Sequence, residues 1–300
     1  MKKKPKIIII LGPTASGKSD CAVAIAKQVD GEVISADSRQ IYRELDIGTG
    51  KITKKEMRGV PHHLIDVASP KKIFTADMYR KKAHAAVYDI IKRKRIPIVC
   101  GGTGFYIETL VDGTSFPEVP PDAKLRKELS VKSASELFAL FKKLDASAAR
   151  KIDQHNPRRL VRAIEIAKAI GKIPPLKKKE EFTPLFIGLM PDNLEKRIGA
   201  RLKARIRRGM IAEGRRLHKE GLSYERMESL GLEYKFLALL LRKKISRADF
   251  EKLLKIAIRQ YAKRQMRWFK RDKRIAWFRP NETKKILAMA SSFIGGSDRT

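Results

Sequence analysis

The chain has 300 residues, 43% of them hydrophobic, which suits one large domain or one domain plus an insertion and excludes wholesale disorder. Lys and Arg number 67 against 33 Asp and Glu, a formal charge of +34. Such a surface attracts polyanions, and counterion release puts nucleic acid ahead of a membrane surface as the partner class, with compositional habit as the plain alternative.

In chain order, the apolar runs Lys6–Leu11, 32–36, 62–67, 96–100 and 185–190 read as buried parallel strands. The basic start followed by four isoleucines superficially resembles a signal peptide, but the run is short and leads straight into Gly12-Pro-Thr. Helical patterns at 19–28 and 76–93 alternate with the early strands and predict a doubly wound α/β sheet. The rhythm breaks after the fourth strand, at the turn-rich Phe116-Pro-Glu-Val-Pro-Pro. Helical patterns follow at Ala123–Leu129, 135–144 and Pro157–Ile170, closing near Ile173-Pro-Pro-Leu and the charged run 177–181. The predicted organisation is a core of 1–115 and 184–300 interrupted by a helical insertion, 116–183.

Beyond the fifth strand, Asp192 with Glu195 suggests a capping box, and Leu194, Ile198, Leu202, Ile206 and Met210 form one apolar stripe. A second long helix is predicted over 247–270, with Phe250, Leu253, Leu254, Ala257 and Tyr261 inside. Lys252, Lys255, Arg259, Lys263, Arg267 and Lys270 form a basic stripe on another side, either a solvated face or a nucleic-acid contact through residues such as Arg259 and Lys263. The tail from Ser291 is expected to fray. Cys21 and Cys100 fit no metal motif and make no disulfide scaffold. No apolar run is long enough to cross a bilayer, so the expectation is a cytoplasmic protein with no membrane partner, and the charge favours a monomer.

The strongest motif is Gly12-Pro13-Thr14-Ala15-Ser16-Gly17-Lys18-Ser19, which fits G-x-x-x-x-G-K-[ST] between a strand and a helix. Its glycines let backbone N–H groups turn towards phosphate oxygens, Lys18 adds a point charge, Ser19 offers a ligand to Mg²⁺, and the helix start favours an anion. A nucleotide such as ATP is the default ligand, normally with a carboxylate at another strand tip. The fourth strand ends in Cys100-Gly101-Gly102-Thr103-Gly104 without one, leaving Asp66 on the third strand for that role. The glycines there suggest close backbone approach to a ligand, with Thr103 as a hydrogen-bonding group. Asp37, in Ser35-Ala-Asp37-Ser38-Arg39-Gln40-Ile-Tyr, is expected at a strand end beside the P-loop strand. It reads either as a cap or as a base for an incoming nucleophile.

These segments, with Asp46-Ile-Gly-Thr, Pro61-His-His-Leu-Ile-Asp, Gly101-Gly-Thr-Gly-Phe-Tyr, Asn156-Pro-Arg-Arg-Leu-Val-Arg-Ala-Ile-Glu and Tyr261-Ala-Lys-Arg-Gln-Met-Arg-Trp-Phe, stand in the order found in the bacterial tRNA dimethylallyltransferases. The chain resembles that family, the tRNA isopentenyltransferases, from the P-loop to about Phe278. The resemblance implies a P-loop NTPase-like parallel sheet flanked by helices with a small helical insertion. It implies transfer of a dimethylallyl group from dimethylallyl diphosphate to N6 of the adenosine 3′ of the anticodon, on a base flipped from its stack. Asp37 matches the family's catalytic aspartate, Thr103 a position near the reacting base, and Arg201 a diphosphate-contacting arginine for which Arg197 and Arg205 are alternatives. Residues 12–19 would hold the diphosphate with Mg²⁺. Ser38, Arg39, Gln40, Arg126 and the segment Arg158, Arg159, Leu160, Val161 and Arg162 would face the tRNA anticodon stem-loop. Tyr42, Phe105 and Tyr106 would pack around the prenyl chain or flanking bases, or simply lie in the core.

The chain departs from the family pattern at Asp46-Ile-Gly-Thr-Gly50-Lys-Ile, which usually reads Ala-Lys-Pro after the threonine, and at Gly231-Leu-Glu-Tyr-Lys, usually Gly-Tyr-Lys. A Cys/His zinc module like that of eukaryotic relatives is not expected. Two other readings compete. A small-molecule P-loop kinase using ATP leaves the basic helix unused, and a nucleotide-regulated RNA-binding protein leaves Asp37 without a task.

Overall fold

The computed structural model describes residues 4–114, 116–175 and 179–296. Its elements, in chain order, are β1 (Lys6–Leu11), α1 (Lys18–Gln28), β2 (Gly31–Ser35), α2 (Lys54–Met57), β3 (His62–His63), α3 (Ala76–Lys92), β4 (Ile96–Gly101) and α4 (Gly104–Val111). Four helices follow: α5 (Ala123–Leu129), α6 (Ala134–Leu144), α7 (Ala146–Ala149) and α8 (Pro157–Ile170). The chain then runs through β5 (Thr183–Leu189), α9 (Leu194–Arg207), α10 (Met210–Lys219), α11 (Tyr224–Leu230), α12 (Leu232–Leu241), α13 (Arg247–Phe269), β6 (Ala276–Phe278) and α14 (Thr283–Gly295).

The strands make one six-stranded sheet, all parallel, in the order β3-β2-β4-β1-β5-β6. The isoleucine run of β1 is central, paired with β4 on one side and β5 on the other. Alternation does the rest. Ile7, Ile9 and Leu11 enter a core with α3, α4 and α9 to α13, while Ile8 and Ile10 enter a second core with α1 and α14. Burial on both faces is why the strand reads as a continuous apolar run. All β-strand C-termini lie on one edge, and the loops carrying the motifs at Gly12, Asp37 and Gly101 leave from it.

Several expectations need correction. The third strand is two residues long, because Leu64 and Asp66 take positive φ angles of 60° and 57° and turn the chain out of the sheet. Asp66 is therefore not at a strand tip, and it ion-pairs with Lys51. β2 is separated from β1 by β4, so Asp37 stands two strands from the P-loop strand. The first helix of the late region starts after Asn193 with no side-chain cap, and Asp192 pairs with Arg279 at 3.1 Å. Gly209, at φ 98°, ends that stripe, so Met210 opens α10. On α13 the buried side is Phe250, Leu254, Ile258, Ala262, Gln265 and Phe269, and Leu253 is exposed. The sixth strand was not anticipated, and α14 continues through Ser291 to Gly295. Residues 297–300 lie outside the described residues, as do 176–178, which take in the start of the predicted charged run.

The chain divides into two compact units, with Thr114 to Lys179 forming the smaller. The larger unit thus takes residues 180–183, which were predicted in the insertion, because Phe182 is buried among the core residues of the large sheet domain. The smaller unit has its own core of Leu125, Leu129, Leu137, Phe141, Leu160 and Ile164. Local signals define its helices. Ser133 and Glu136 form a capping box on α6. Asn156 caps α8, Pro157 occupies its first turn, and Gly171 ends it at φ 83°. Among the described residues no helix is long and apolar enough to cross a membrane.

Candidate active site

The P-loop folds back on itself as its sequence demands. Gly12, at φ 152°, has no room for a Cβ, which would sit 2.5 Å from the Leu189 carbonyl. Ser16 N–H donates to the Pro13 carbonyl at 3.2 Å, and the Lys18 ammonium donates to the same oxygen at 3.0 Å. Ser16 is fully buried, and its Oγ has no partner among the described residues. An orphaned buried hydroxyl is costly, and an anion in the loop would satisfy it. Burial pushes the Lys18 amine below its ordinary value. Cys100 opposes this, Arg201 adds to it, and Asp37 opposes it again.

A cavity of about 390 Å³ opens from the loop, lined by Gly17, Lys18 and Ser19 on one side and by Arg197, Arg201 and Arg208 on the other. The three arginines come from α9 and its last turn, at spacings that put them on one face of the helix. Arg197 Nε donates to the Ala15 carbonyl at 2.8 Å and Arg201 Nη2 to the Gly50 carbonyl at 2.9 Å. Arg205 also lines this cavity, but its guanidinium is buried and committed, to Glu233 at 2.8 Å and to the Gly48 carbonyl. Of the three arginines weighed for a diphosphate contact, Arg197 and Arg201 reach the cavity most freely. The departure at Gly50 has a local consequence here. Gly50 has φ 61°, and a Cβ on it would fall 2.7 Å from Arg201 Nη2, so an alanine would displace that guanidinium.

Asp37 follows β2. Its Oδ1 accepts Arg39 N–H at 2.8 Å and Gln40 N–H at 3.4 Å, which makes it the cap of a turn, while Oδ2 has no hydrogen-bond partner among the described residues. The cap thus uses one of its two oxygens. Ser38 N–H donates to Thr103 Oγ at 3.0 Å, tying the loop after β2 to the loop after β4. Thr103 occupies the cap position of α4 without capping it. Tyr261 of α13 stands near Thr103, and burial first, then the Asp37 charge, pushes its hydroxyl up to about 12. Asp37, Gln40, Ser35, His62 and Gly101 share a small cavity with Lys18 and Ser19. Lys18 and Ser19 therefore stand between the basic cavity and the carboxylate.

The glycines at and after the end of β4 are closely approached by protein atoms. A Cβ on Gly101 would meet the Ala36 carbonyl at 2.1 Å, on Gly102 the Gln265 amide at 2.3 Å, and on Gly104 the Trp268 ring at 2.3 Å. Tyr42 and Tyr106 are core residues, Tyr106 stacked on Tyr79 at 4.0 Å, while Phe105 is 43% exposed and edge-on to Trp268. On α13, Lys263 is exposed, but Arg259 is half-buried and paired with Glu195 at 3.1 Å.

In the helical unit, Arg158 and Arg159 are exposed and Val161 half-buried, whereas Leu160 is fully buried in the unit's core and presents no side chain to a partner. Arg126 and Arg162 both grip the buried Glu165 carboxylate, Arg126 in bidentate fashion at 2.5 and 2.8 Å and Arg162 at 3.0 Å. Two further acids carry no role in the sequence reading. Glu165 is one. The other is Glu213, buried beneath the Asp46-Ile-Gly loop, where it accepts the N–H groups of Asp46, Ile47 and Gly48 and the Tyr234 hydroxyl.

Residues 40–272 match the model of the IPP transferase family. The chain belongs to the IPP transferase family. It is 43% identical to tRNA dimethylallyltransferase 2 of Treponema denticola over 90% of this chain and 93% of that one. With the tRNA dimethylallyltransferase of Carboxydothermus hydrogenoformans it shares 38% identity, covering 95% and 97%. Among solved structures it superposes on the full-length tRNA isopentenylpyrophosphate transferase of Bacillus halodurans with a TM-score of 0.74 at 33% identity, covering 98% of this chain and 96% of that one. A eukaryotic dimethylallyltransferase acting on tRNA gives a TM-score of 0.85 at 26% identity, covering 98% and 80%. The parallel sheet flanked by helices is thus the fold of this family, as the motif order predicted.

Proposed function

We propose that the protein transfers a dimethylallyl group from dimethylallyl diphosphate to N6 of the adenosine 3′ of a tRNA anticodon, releasing diphosphate. One observation carries the reading to these residues: a basic, diphosphate-sized cavity and a half-free carboxylate lie on opposite sides of Lys18 and Ser19. The N6 amine attacks the carbon that bears the diphosphate, the new C–N bond forms as the C–O bond breaks, and the departing proton passes to Asp37 Oδ2. Charge that develops on the leaving group is met by Lys18, by the α1 N-terminus and by Arg197 and Arg201. Thr103 and Tyr261 offer hydroxyls on the side of the incoming base. Ser38, Arg39 and Gln40, in the turn that Asp37 caps, would contact the nucleotides beside it. Arg158 and Arg159, with exposed charge, would contact RNA phosphates, as would Lys263.

Mg²⁺ fits this donor set, since Ser19 supplies a hard oxygen next to the loop and Asp37 shares its small cavity. Bound there with the diphosphate, the ion would neutralise leaving-group charge. Among the described residues no group of three or more His, Cys, Asp or Glu could hold a metal unaided, which suits an ion carried in by its diphosphate. The protein would act in the cytoplasm as a monomer.

The test is nucleoside mass analysis after incubating unmodified tRNA with the protein, Mg²⁺ and dimethylallyl diphosphate. N6-dimethylallyladenosine is the expected product. Its absence, with ATP consumed in a parallel reaction, would overturn the proposal in favour of a kinase.

A further inference from the structure

Helix α13 presents two faces. Lys263, Arg267 and Lys270 are exposed on the outer one. On the inner one, positions 261, 265 and 268 recur at helical spacing and meet the site one above the other. Tyr261 stands near Thr103, and Trp268 packs on Gly104. Between them lies Gln265, 6% exposed, in a row otherwise made of Ile258, Ala262 and Phe269. Its Oε1 accepts the Thr14 N–H of the P-loop at 2.9 Å, and its Nε2 donates to the Gly102 carbonyl at 2.8 Å. One planar amide therefore bridges two loops that are 88 positions apart in the chain, Thr14 and Gly102. Burying an amide in an apolar row is unfavourable unless both its ends are paired, and here both are. Gly102 leaves the space the bridge needs, since a Cβ would come within 2.3 Å of Nε2.

We infer that Gln265 is a positioning residue that holds the anion loop in register with the Gly101-Gly-Thr103 turn, so that the helix facing RNA also sets the diphosphate site. The inference rests on the prenyl-transfer reading. With Thr14 pinned by Gln265, the loop keeps its shape whether or not a ligand is present. Without the bridge, the loop must be ordered by the diphosphate itself, and affinity falls.

The experiment compares wild type, Gln265→Met and Gly102→Ala. Calorimetric titration with magnesium diphosphate gives the anion affinity, and anisotropy of a labelled anticodon stem-loop gives the RNA affinity. Gln265→Met is expected to weaken diphosphate binding about tenfold, equivalent to about 1.4 kcal/mol. KM for dimethylallyl diphosphate should rise by the same factor, while RNA affinity stays within about twofold. Gly102→Ala pushes the amide aside from the opposite direction and should reproduce the loss with Gln265 intact. If Gln265→Met does not fold, Gly102→Ala decides alone. Diphosphate affinity within about twofold of wild type in the variants overturns the inference, as does a parallel fall of diphosphate affinity, RNA affinity and Tm, which marks a merely structural amide. A wild-type chain that binds no magnesium diphosphate instead overturns the reading of the site itself, and the inference with it.

Discussion

Glu213→Ala should be the most damaging single change outside the reacting groups. The Glu213 carboxylate accepts Asp46 N–H at 3.0 Å, Ile47 N–H at 2.6 Å, Gly48 N–H at 2.9 Å and the Tyr234 hydroxyl at 2.8 Å. The bonds to Gly48 and Tyr234 are buried, so alanine leaves two donors that water cannot reach, at about 1–3 kcal/mol each. The bonds to Asp46 and Ile47 are only part-buried, and their donors can be rehydrated at about 0.5–1.5 kcal/mol each. At the midpoints these sum to about 6 kcal/mol, which for a unit of this size corresponds to a Tm lower by roughly 15–20 °C. Function should suffer beyond stability. The Gly48 and Gly50 carbonyls receive Arg205 and Arg201, so a loosened loop releases Arg201 from the cavity wall. Differential scanning fluorimetry reads the first effect, and KM for dimethylallyl diphosphate at a temperature well below the transition reads the second. Glu213→Gln, which keeps one accepting oxygen but turns an amide towards the remaining donors, should lose about half as much. A Tm within about 3 °C of wild type for Glu213→Ala would refute the anchoring argument.

Asp37→Asn keeps the Oδ1 cap of the turn but cannot take a proton. Turnover should fall at least about 10²-fold with diphosphate and RNA affinities nearly unchanged, and single-turnover rates within a few-fold of wild type would dismiss Asp37 as the base. Lys18 has its amine depressed by burial, and only its protonated form attracts diphosphate. Diphosphate affinity should therefore be full below that depressed pKa and decline as pH rises through it, whereas Lys18→Arg should hold its own affinity constant over the same range in calorimetric titrations. Reversing charge at Lys263 and Arg267 should lower the slope of log K against log salt for anticodon RNA by roughly 0.7 per lost contact, while Arg259→Ala should alter it less, because Arg259 already pairs with Glu195. Glu165→Ala leaves Arg126 and Arg162 without their shared buried carboxylate and should destabilise the helical unit by about 3 kcal/mol, read as faster hydrogen exchange in α5 and α8.

The parts of the molecule that were legible beforehand are those whose cause is local in the chain. The P-loop declares itself because glycine spacing, strand and helix are contiguous. The β1 isoleucines announce a two-faced strand, and Asn156 with Pro157 announces a helix start. The motifs around Asp37 and Thr103 stand apart in the chain, and the Ser38–Thr103 hydrogen bond brings their loops together. What escaped depends on partners far away in sequence. β6 is three residues long and gains its identity only by pairing with β5, and the third strand lost its predicted length to two positive φ angles that no periodicity encodes. The glycines after β4 were read as room for a ligand because a sequence does not say which neighbour approaches. Trp268, Gln265 and the Ala36 carbonyl arrive there from elsewhere in the fold.

Glu165, Glu213 and Gln265 share one property that a sequence does contain. Each interrupts an apolar stripe: Glu165 among Ala163, Ile164 and Ile166, Glu213 among Met210, Ile211 and Leu217, Gln265 between Ala262 and Phe269. A polar residue at such a position is driven into the interior by its neighbours and must find partners there. The partners are guanidiniums for Glu165, three backbone N–H groups and a phenol for Glu213, and two loops for Gln265. In the large unit both such residues hold the loops that surround the candidate site. The apolar stripes build the scaffold, and the polar residues that break them hold the loops around the candidate site.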